Sequence, residues 1–337
     1  MTAKCSKDGS GILLSICIPT YNSSNHLRNA LNSIVKQDGF DQRCEIVISD
    51  NNSSDDTAQM VHNEFVCQYN NIRYYSNNTN IGDENFIKVM NYAEGKYIKL
   101  HSDKWCFIDH KLSDLLNHLD QSEHNVICLL NKDSNSTHAG AIQCNDFNEF
   151  VSIVSYLCTW ITGMIYKKSS YENLKDKERY VSLQLAQTDI LFRLLRNGSS
   201  LIIDGKILTE QPREPRGGYN FFEVFICNYL SLYDDYLNNG LLNPKTYKME
   251  KAKLLKYHIL PWYTEVILMN SRKHKFHANK DANKIILKYF GYKSLLFMLP
   301  VYIIKSVLRT NLVKMYRLIS PQWQRKVDSL IRSANGR

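Results

Sequence analysis

The stretch from Leu13 to Thr57, LLSICIPTYNSSNHLRNALNSIVKQDGFDQRCEIVISDNNSSDDT, limits what this chain can fold into more than any other part. Leu13 to Ile18 is apolar and β-branched with no polar alternation, the pattern of a parallel strand covered on both faces, and the strand is expected to stop at Pro19. Thr20 to Ser24 are turn and N-cap types, after which Leu27, Ala30, Leu31 and Ile34 recur at helical spacing. Glu45 to Ser49 reads as a second strand ending on Asp50. Two parallel strands joined by a helix place both strand C-termini on one edge. Pro19, Thr20, Tyr21 and Asn22 therefore meet Asp50, Asn51 and Asn52 in one crevice, the place where open α/β sheets bind ligands. Tyr21 offers a ring to stack on a base, and Asp50 a carboxylate to accept from a base N–H or a ribose hydroxyl.

The order of elements continues in the same style. Asn71 to Ser76 reads as a third strand, Asn80-Ile81-Gly82 as a turn, and Phe86, Ile87, Val89 and Met90 as a helix that Gly95 terminates. Tyr97 to Leu100 and Val126 to Leu130 are further strands, separated by a helix through Leu112, Leu115, Leu116 and Leu119. The polar stretch NKDSNSTHAGAIQCN is expected to be an exposed loop. SIVSYLCTWITGMIYKKS reads as a buried strand or helix, with Gly163 allowing close backbone approach. Then come a helix ended by Asn197-Gly198 and a strand from Ser200 to Ile203.

Four blocks in register carry a resemblance. They are Ser15 to Asn22 (SICIPTYN), Glu45 to Asn51 (EIVISDN) with Ser53, Asp55 and Thr57, Asn80-Ile81-Gly82, and Gly95-Lys96-Tyr97-Ile98. Together they resemble the family-2 glycosyltransferases, and the GGYNFFEVF stretch from Gly217 is similar to the abequosyltransferase-like subset that builds bacterial surface polysaccharides. The resemblance implies a GT-A fold, a Rossmann-like, mostly parallel sheet with helices on both faces. It also implies an inverting transfer of a sugar from a nucleoside-diphosphate sugar. A donor site over Pro19, Thr20, Tyr21, Asn22, Asp50, Asn51, Asn80 and Gly82 follows.

In that family the residues after the fourth strand supply an Asp-x-Asp group that holds a divalent cation, Mg or Mn, on the donor diphosphate. Here the chain departs from the pattern: His101-Ser102-Asp103-Lys104-Trp105 offers one carboxylate, with Lys104 where a second acid is expected. Either Asp103 alone binds the ion, completed by phosphate and water, or Lys104 neutralises the diphosphate directly. His101 could join as a ligand, though a histidine at a strand end is more often a packing residue. The resemblance places the general base on Asp189 in Gln187-Thr188-Asp189-Ile190. An ordinary N-terminal helix acid would look the same. Arg213 and Arg216 would reach phosphates from a loop closing over the site.

Charge separates the two ends of the chain. Lys245 to Arg337 holds 20 Lys and Arg against 4 acids, a net of +16 in a chain whose total is +9, which leaves the first 244 residues at −7. Such segregation points to an anionic partner for the last third. Its most apolar run, Ser294 to Ile304, is too short for the roughly 20 residues a membrane span needs. Basic and aromatic residues flank the run (Lys293, Lys305, Arg309, Lys314, Arg317; Tyr292, Tyr302, Tyr316, Trp323), as in an amphipathic helix lying at a membrane surface. A core helix is the plainer alternative. No nucleic-acid-binding module is recognisable. The N-terminus MTAKCSKDGSG has no apolar h-region, and the nine scattered cysteines lack zinc or redox spacing. A cytoplasmic protein, peripheral on the inner face of the cytoplasmic membrane, is the expectation.

The sequence thus predicts residues 1–225 as a GT-A domain and 226–337 as a basic, helical, membrane-associating extension. The enzyme would move a sugar to a hydroxyl of a growing, lipid-linked glycan such as O-antigen or capsule. The rival reading is a nucleotide- or polyanion-binding protein with a degenerate GT-A domain and no catalysis.

Overall fold

A computed structural model describes residues 11–40, 43–130, 140–196, 198–211, 218–268 and 281–292, with Phe276 and Pro300 as isolated positions. Arg213, Arg216 and, apart from Pro300, the apolar run 294–304 lie outside the described residues. In chain order the elements to residue 120 are β1 (Leu14–Thr20), α1 (Ser24–Val35), β2 (Cys44–Asp50), α2 (Thr57–Val61), β3 (Ile72–Ser76), α3 (Glu84–Asn91), β4 (Tyr97–Leu100), β5 (Trp105–Phe107) and α4 (Lys111–Asp120). Next are β6 (Val126–Leu130), β7 (Gly140–Cys144), α5 (Phe147–Val154), β8 (Met164–Lys167), α6 (Lys168–Glu172), α7 (Ala186–Leu195), β9 (Ser200–Asp204) and β10 (Leu208–Glu210). Beyond them come α8 (Tyr229–Ser231), α9 (Asp234–Asn238), α10 (Pro244–Leu254) and α11 (Leu260–Tyr263).

Eight strands form one sheet in the order β3-β2-β1-β4-β8-β6-β9-β7, and β5 pairs with β10 in a separate ribbon. Strands β3, β2, β1 and β4 are mutually parallel, as are β6 and β9, while β8 and β7 run against their neighbours. The result is the mixed, mostly parallel α/β architecture that the resemblance implied. Every residue of β1 and β2 is buried, as the unbroken apolar runs require. The pleat sends alternate side chains to opposite faces. Ile16 and Ile18 join Leu27, Leu31 and Ile34 of α1 in one core, and Cys17 joins Ile87, Val89 and Met90 of α3 in the other.

The second core extends past the sheet. Tyr229, Tyr233, Leu254, Ile259 and Ile286 belong to the same buried cluster as β4, β6 and β8, so the described helices after residue 225 pack as part of that core. Side-chain caps start two of the helices in this core. Asn243 caps α10, its Oδ1 accepting from Thr246 N at 2.8 Å with Pro244 in the first turn, and Asp146 caps α5 through Glu149 N at 2.9 Å.

Three local expectations are corrected. The first strand runs through Pro19 to Thr20. The carbonyl of Cys17 accepts from His101 N on the β4 side and that of Thr20 from Asn51 N on the β2 side, so the missing N–H of Pro19 points toward β4. There the β1–β4 pairing has already ended at Cys17 and Leu100, and no ladder bond is lost. Gly95 does not terminate α3, which ends at Asn91. A Cβ on Gly95 would lie 2.9 Å from Ser15 N, so glycine serves the approach to β1. The second half of the polar stretch after β6 is the strand β7, whose outward residues read as loop because it lies at the sheet edge. Gly163 does allow close approach, since a Cβ there would lie 2.7 Å from Trp160 Cε3 and 3.1 Å from the Leu129 carbonyl.

Candidate functional site

The crevice is assembled at the C-terminal edge of β1, β2, β3 and β4 by side chains that bond to one another's backbones. Asn22, held at φ 46, donates its N–H to Ser53 Oγ at 2.8 Å and accepts from Ser54 N at 2.7 Å. Asp55 Oδ2 accepts from Ser24 N at 3.2 Å, so the first turn of α1 is closed by an acid from the neighbouring loop and not by its own N-cap residue. Asp55 also takes the N–H and hydroxyl of Thr57, and these bonds hold its carboxyl below the usual range despite partial burial, which acts the other way.

Asn51 is the hub of the second wall. Its Nδ2 donates to Asn80 Oδ1 at 2.8 Å and to the Gly82 carbonyl at 3.2 Å, while its Oδ1 accepts from Ile81 N at 2.9 Å and Asn77 Nδ2 at 3.1 Å. Asn80 also accepts from Gly82 N at 2.9 Å, closing a turn in which Gly82 takes φ 58. Asn51 and Asn80 thus shape the crevice through contacts within the protein. Asp50 is equally engaged: Tyr74 OH donates to one oxygen at 2.5 Å and Ser53 N to the other at 2.9 Å. Tyr21 is different, 48% exposed with its ring open to a ligand.

The third wall carries Asp103. It is 8% exposed, and Thr20 Oγ1 donates to its Oδ2 at 3.0 Å, joining the end of β1 to the loop after β4. Burial raises the pKa of this carboxyl, against the lowering effects of Ser23, Lys104, Thr20 and His26. Lys104 is exposed beside it. Two residues that sequence reasoning passed over pin this loop. Gln211, just after β10, donates from Nε2 to the carbonyls of Asp103 and His26, both at 2.9 Å. Thr162 Oγ1 accepts from Ser102 N at 3.1 Å.

Behind the loop lies Lys99, fully buried in β4. Its Nζ donates to the Thr162 carbonyl at 2.7 Å and to His101 Nδ1 at 3.0 Å, while His101 Nε2–H donates to the Trp105 carbonyl at 3.0 Å. Both histidine nitrogens are therefore committed within the protein, so His101 is a packing residue and not a metal ligand. Burial brings Lys99 down to about 7 and, together with the Lys99 charge, pushes His101 well below its ordinary value. A single charged residue inside the strand YIKL was the signal that could have revealed Lys99; Gln211 carries no such mark.

A divalent cation is tested against these residues. Among the described residues no group of three His, Cys, Asp or Glu side chains could hold a metal. Asp103 supplies one hard oxygen donor at the crevice, so the residues present fit an ion whose remaining ligands come from a bound oxyanion and water, not one caged by the protein.

Asp189 lies apart from this group, in the first turn of α7, which packs on β6 and β8. It is 2% exposed, and its ion-pair partners among the described residues are Arg179 and Arg193. Arg179 engages both carboxylate oxygens, with Nε to Oδ2 at 3.0 Å and Nη2 to Oδ1, and Arg193 Nε lies 2.9 Å from Oδ2. The structure thus brings Thr20 to Asp103 and Asn51 to Asn80 and Gly82, but it leaves Asp189 in a separate arginine-bound cluster.

Residues 15–149 match the sequence profile described as Glycosyl transferase family 2. A segment of 119 residues is 36% identical to abequosyltransferase RfbV of Salmonella typhimurium, covering 35% of each chain. A segment of 174 residues is 28% identical to the GalNAc(5)-diNAcBac-PP-undecaprenol beta-1,3-glucosyltransferase of Campylobacter jejuni, covering 50% of this chain and 55% of that one. The matched segments thus span about a third to about half the length of these relatives. In fold, S. aureus TarS in complex with UDP is similar with a TM-score of 0.56 at 17% identity, over 82% of this chain and 78% of that one. The mannosyltransferase PcManGT from Pyrobaculum calidifontis, in complex with GDP-Man and Mn2+, has a TM-score of 0.53 at 14% identity, over 87% and 86%.

Proposed function

From the premise that residues 15–149 are a glycosyl transferase family 2 domain on a GT-A fold, we propose that the chain is an inverting glycosyltransferase. Its donor is a nucleoside-diphosphate sugar and its acceptor a hydroxyl of a growing bacterial surface glycan carried on a lipid. The observation that carries this reading is the joining of Thr20 to Asp103 across the crevice, beside the open ring of Tyr21. In this reading Tyr21 is the stacking surface, and Asp103 with the exposed Lys104 faces the phosphates.

In the reaction the acceptor oxygen attacks the anomeric carbon from the face opposite the diphosphate. The carbon–oxygen bond to the diphosphate breaks, and the acceptor proton passes to a carboxylate. Asp189 is that base in our reading, and Arg179 must leave it first, because its guanidinium fork spans both carboxylate oxygens and stands between them and an approaching hydroxyl. Tyr21 stacks on the base of the nucleotide, and Asn51 and Asn80 hold the crevice walls in place. A divalent cation bound by Asp103 and the donor would neutralise the departing diphosphate, and Lys104 acts on the same charge. The rival reading, nucleotide binding without catalysis, draws on the same sealed state of Asp189.

A nucleotide-sugar panel scored by thermal shift, followed by a transfer assay with the best donor, decides between them. A donor that raises the melting temperature and is turned over supports the enzyme; binding without transfer or hydrolysis in any metal condition supports the rival.

Residues 1–225 form the catalytic unit in this proposal, and 226–337 the region that brings it to the inner face of the cytoplasmic membrane. No described helix is long and apolar enough to cross a membrane. Attachment would come from the basic residues, on the order of 1 kcal/mol each near an anionic surface, and from apolar side chains such as Leu295, Leu296, Phe297 and Ile303. Flotation with anionic liposomes should carry the whole chain and lose it on truncation after Asp281. Equal flotation of both chains would sink the proposal.

A further inference from the structure

Beside α7 a hollow of about 50 Å³ is lined by Arg179, Arg193, Arg196, Asp235, Tyr236 and Asn239. Three guanidinium groups converge here, in the part of the chain that is acidic overall. Their situations differ. Arg193 is immobilised: besides Asp189, it donates from Nη1 to the Lys175 carbonyl at 2.6 Å and from Nη2 to the Asp176 carbonyl at 3.3 Å. Arg196 is exposed at the rim, with no ion-pair partner among the described residues. Arg179 is 34% exposed, spans both oxygens of Asp189, and lies 4.6 Å from the centre of the Tyr180 ring. Of the three it alone has both a buried counter-ion and an open side.

The charges do not cancel. Three guanidinium groups face Asp189 and Asp235, so the hollow keeps a net positive charge that an oxyanion would neutralise, and a planar N–H fork matches a carboxylate or a phosphate. We propose that this hollow binds an anionic group of the acceptor, a carboxylate or phosphate on the sugar that carries the attacking hydroxyl. Binding draws Arg179 off Asp189. One guanidinium cannot serve two oxyanions with the same pair of N–H groups, so the incoming anion competes with Asp189 for Arg179. Arg193 stays, which prevents Asp189 from becoming an unpaired buried charge while one of its oxygens opens to take a proton. An acidic acceptor thereby uncovers the base, and a neutral one leaves it covered. This rests on the reading of Asp189 as the base, but the existence of the anion site can be measured without it.

The test uses the whole chain at constant ionic strength. Inorganic phosphate and glucuronate are titrated by calorimetry against wild type and Arg196→Gln, a change that leaves the Asp189 pairs in place. Arg179→Gln is the less safe variant because it would strip a buried carboxylate of its main partner. Saturable binding that weakens about tenfold in Arg196→Gln, with nucleotide affinity unchanged, is expected. Absence of saturable binding, or equal binding in both proteins, overturns the site.

Transfer is then compared between an acceptor ending in glucuronate and its glucose counterpart. A preference for the acidic acceptor that shrinks in Arg196→Gln supports the proposal. Phosphate binding without any such preference would assign the hollow to free phosphate and overturn the acceptor role. An unchanged rate in Asp189→Asn, with anion binding intact, would remove the base assignment and leave the site standing.

Discussion

The crevice walls and the Asp189 cluster are built by different means. Around Asn51, Asn22 and Asp55, short polar side chains bond to nearby backbone groups, and each bond spans a gap that only a few residue types can fill. Around Asp189 the scaffold is aromatic: Phe147 and Tyr236 stack at 4.6 Å, and Phe192 meets both rings edge-on. Packing of that kind tolerates exchange of one large apolar residue for another. The lesson is that the crevice is specified residue by residue through bonds between distant segments, whereas the Asp189 side is specified by volume and by two sequence-local ion pairs, from Arg179 and Arg193.

The comparison can be broken at either end. The largest effect is expected at Asp189, where Asn in its place should lower the transfer rate by roughly 10²- to 10⁴-fold with donor affinity unchanged, as measured by steady-state kinetics and calorimetry. Loss of donor affinity in step with rate would mean that the two regions are not separate. At the hub of the donor side, Asn51→Ala strands its hydrogen-bonding partners Asn77, Asn80 and Ile81. Urea unfolding should show a loss of about 3 kcal/mol, and nucleotide binding should weaken with it. A variant as stable as wild type would show that the wall is held by other contacts.

The smallest effect belongs to the residue that joins the regions. Lys99 links β4, below the Asp103 loop, to Thr162 before β8. Burial depresses its pKa from 10.5 to about 7, so between these values the unfolded chain binds the proton and the folded one does not. Stability from this group therefore rises with pH across that window. Relative to Lys99→Met, wild type should gain on the order of 1.5 kcal/mol from pH 7 to pH 8.5. Parallel pH curves for the two proteins would show that the amine is solvated or neutral throughout.

Much of this was legible in the sequence for a physical reason. β1, α1, β2 and β4 have one-dimensional signatures, apolar runs and helical spacing, and they fall where the pattern put them, except that β1 continues through Pro19 to Thr20. The edge strand β7 did not, because four consecutive exposed residues, Gly140 to Gln143, leave GAIQC without the alternation of a half-buried strand. Asp103 could be named from its place after β4, but its bond to Thr20 depends on a register that no local pattern encodes. Arg179 closes the charged run YENLKDKER, a pattern more often found on a solvated face. Only the tertiary fold shows that this arginine turns inward onto Asp189 while Glu172 stays outside.

Gly163 bears on how such a protein can be re-engineered. Any side chain at that position collides first with the Trp160 ring, which packs against Trp105 at 4.8 Å, and next with the Leu129 carbonyl. The two demands are unequal: at 2.7 Å the indole itself must shift, while at 3.1 Å the carbonyl need give by only a few tenths of an ångström. Mutational routes through this corner consequently have a direction. Trp160 must shrink before Gly163 can grow, so a library that varies position 163 alone would return only glycine, and one that varies both would recover pairs that neither single change permits.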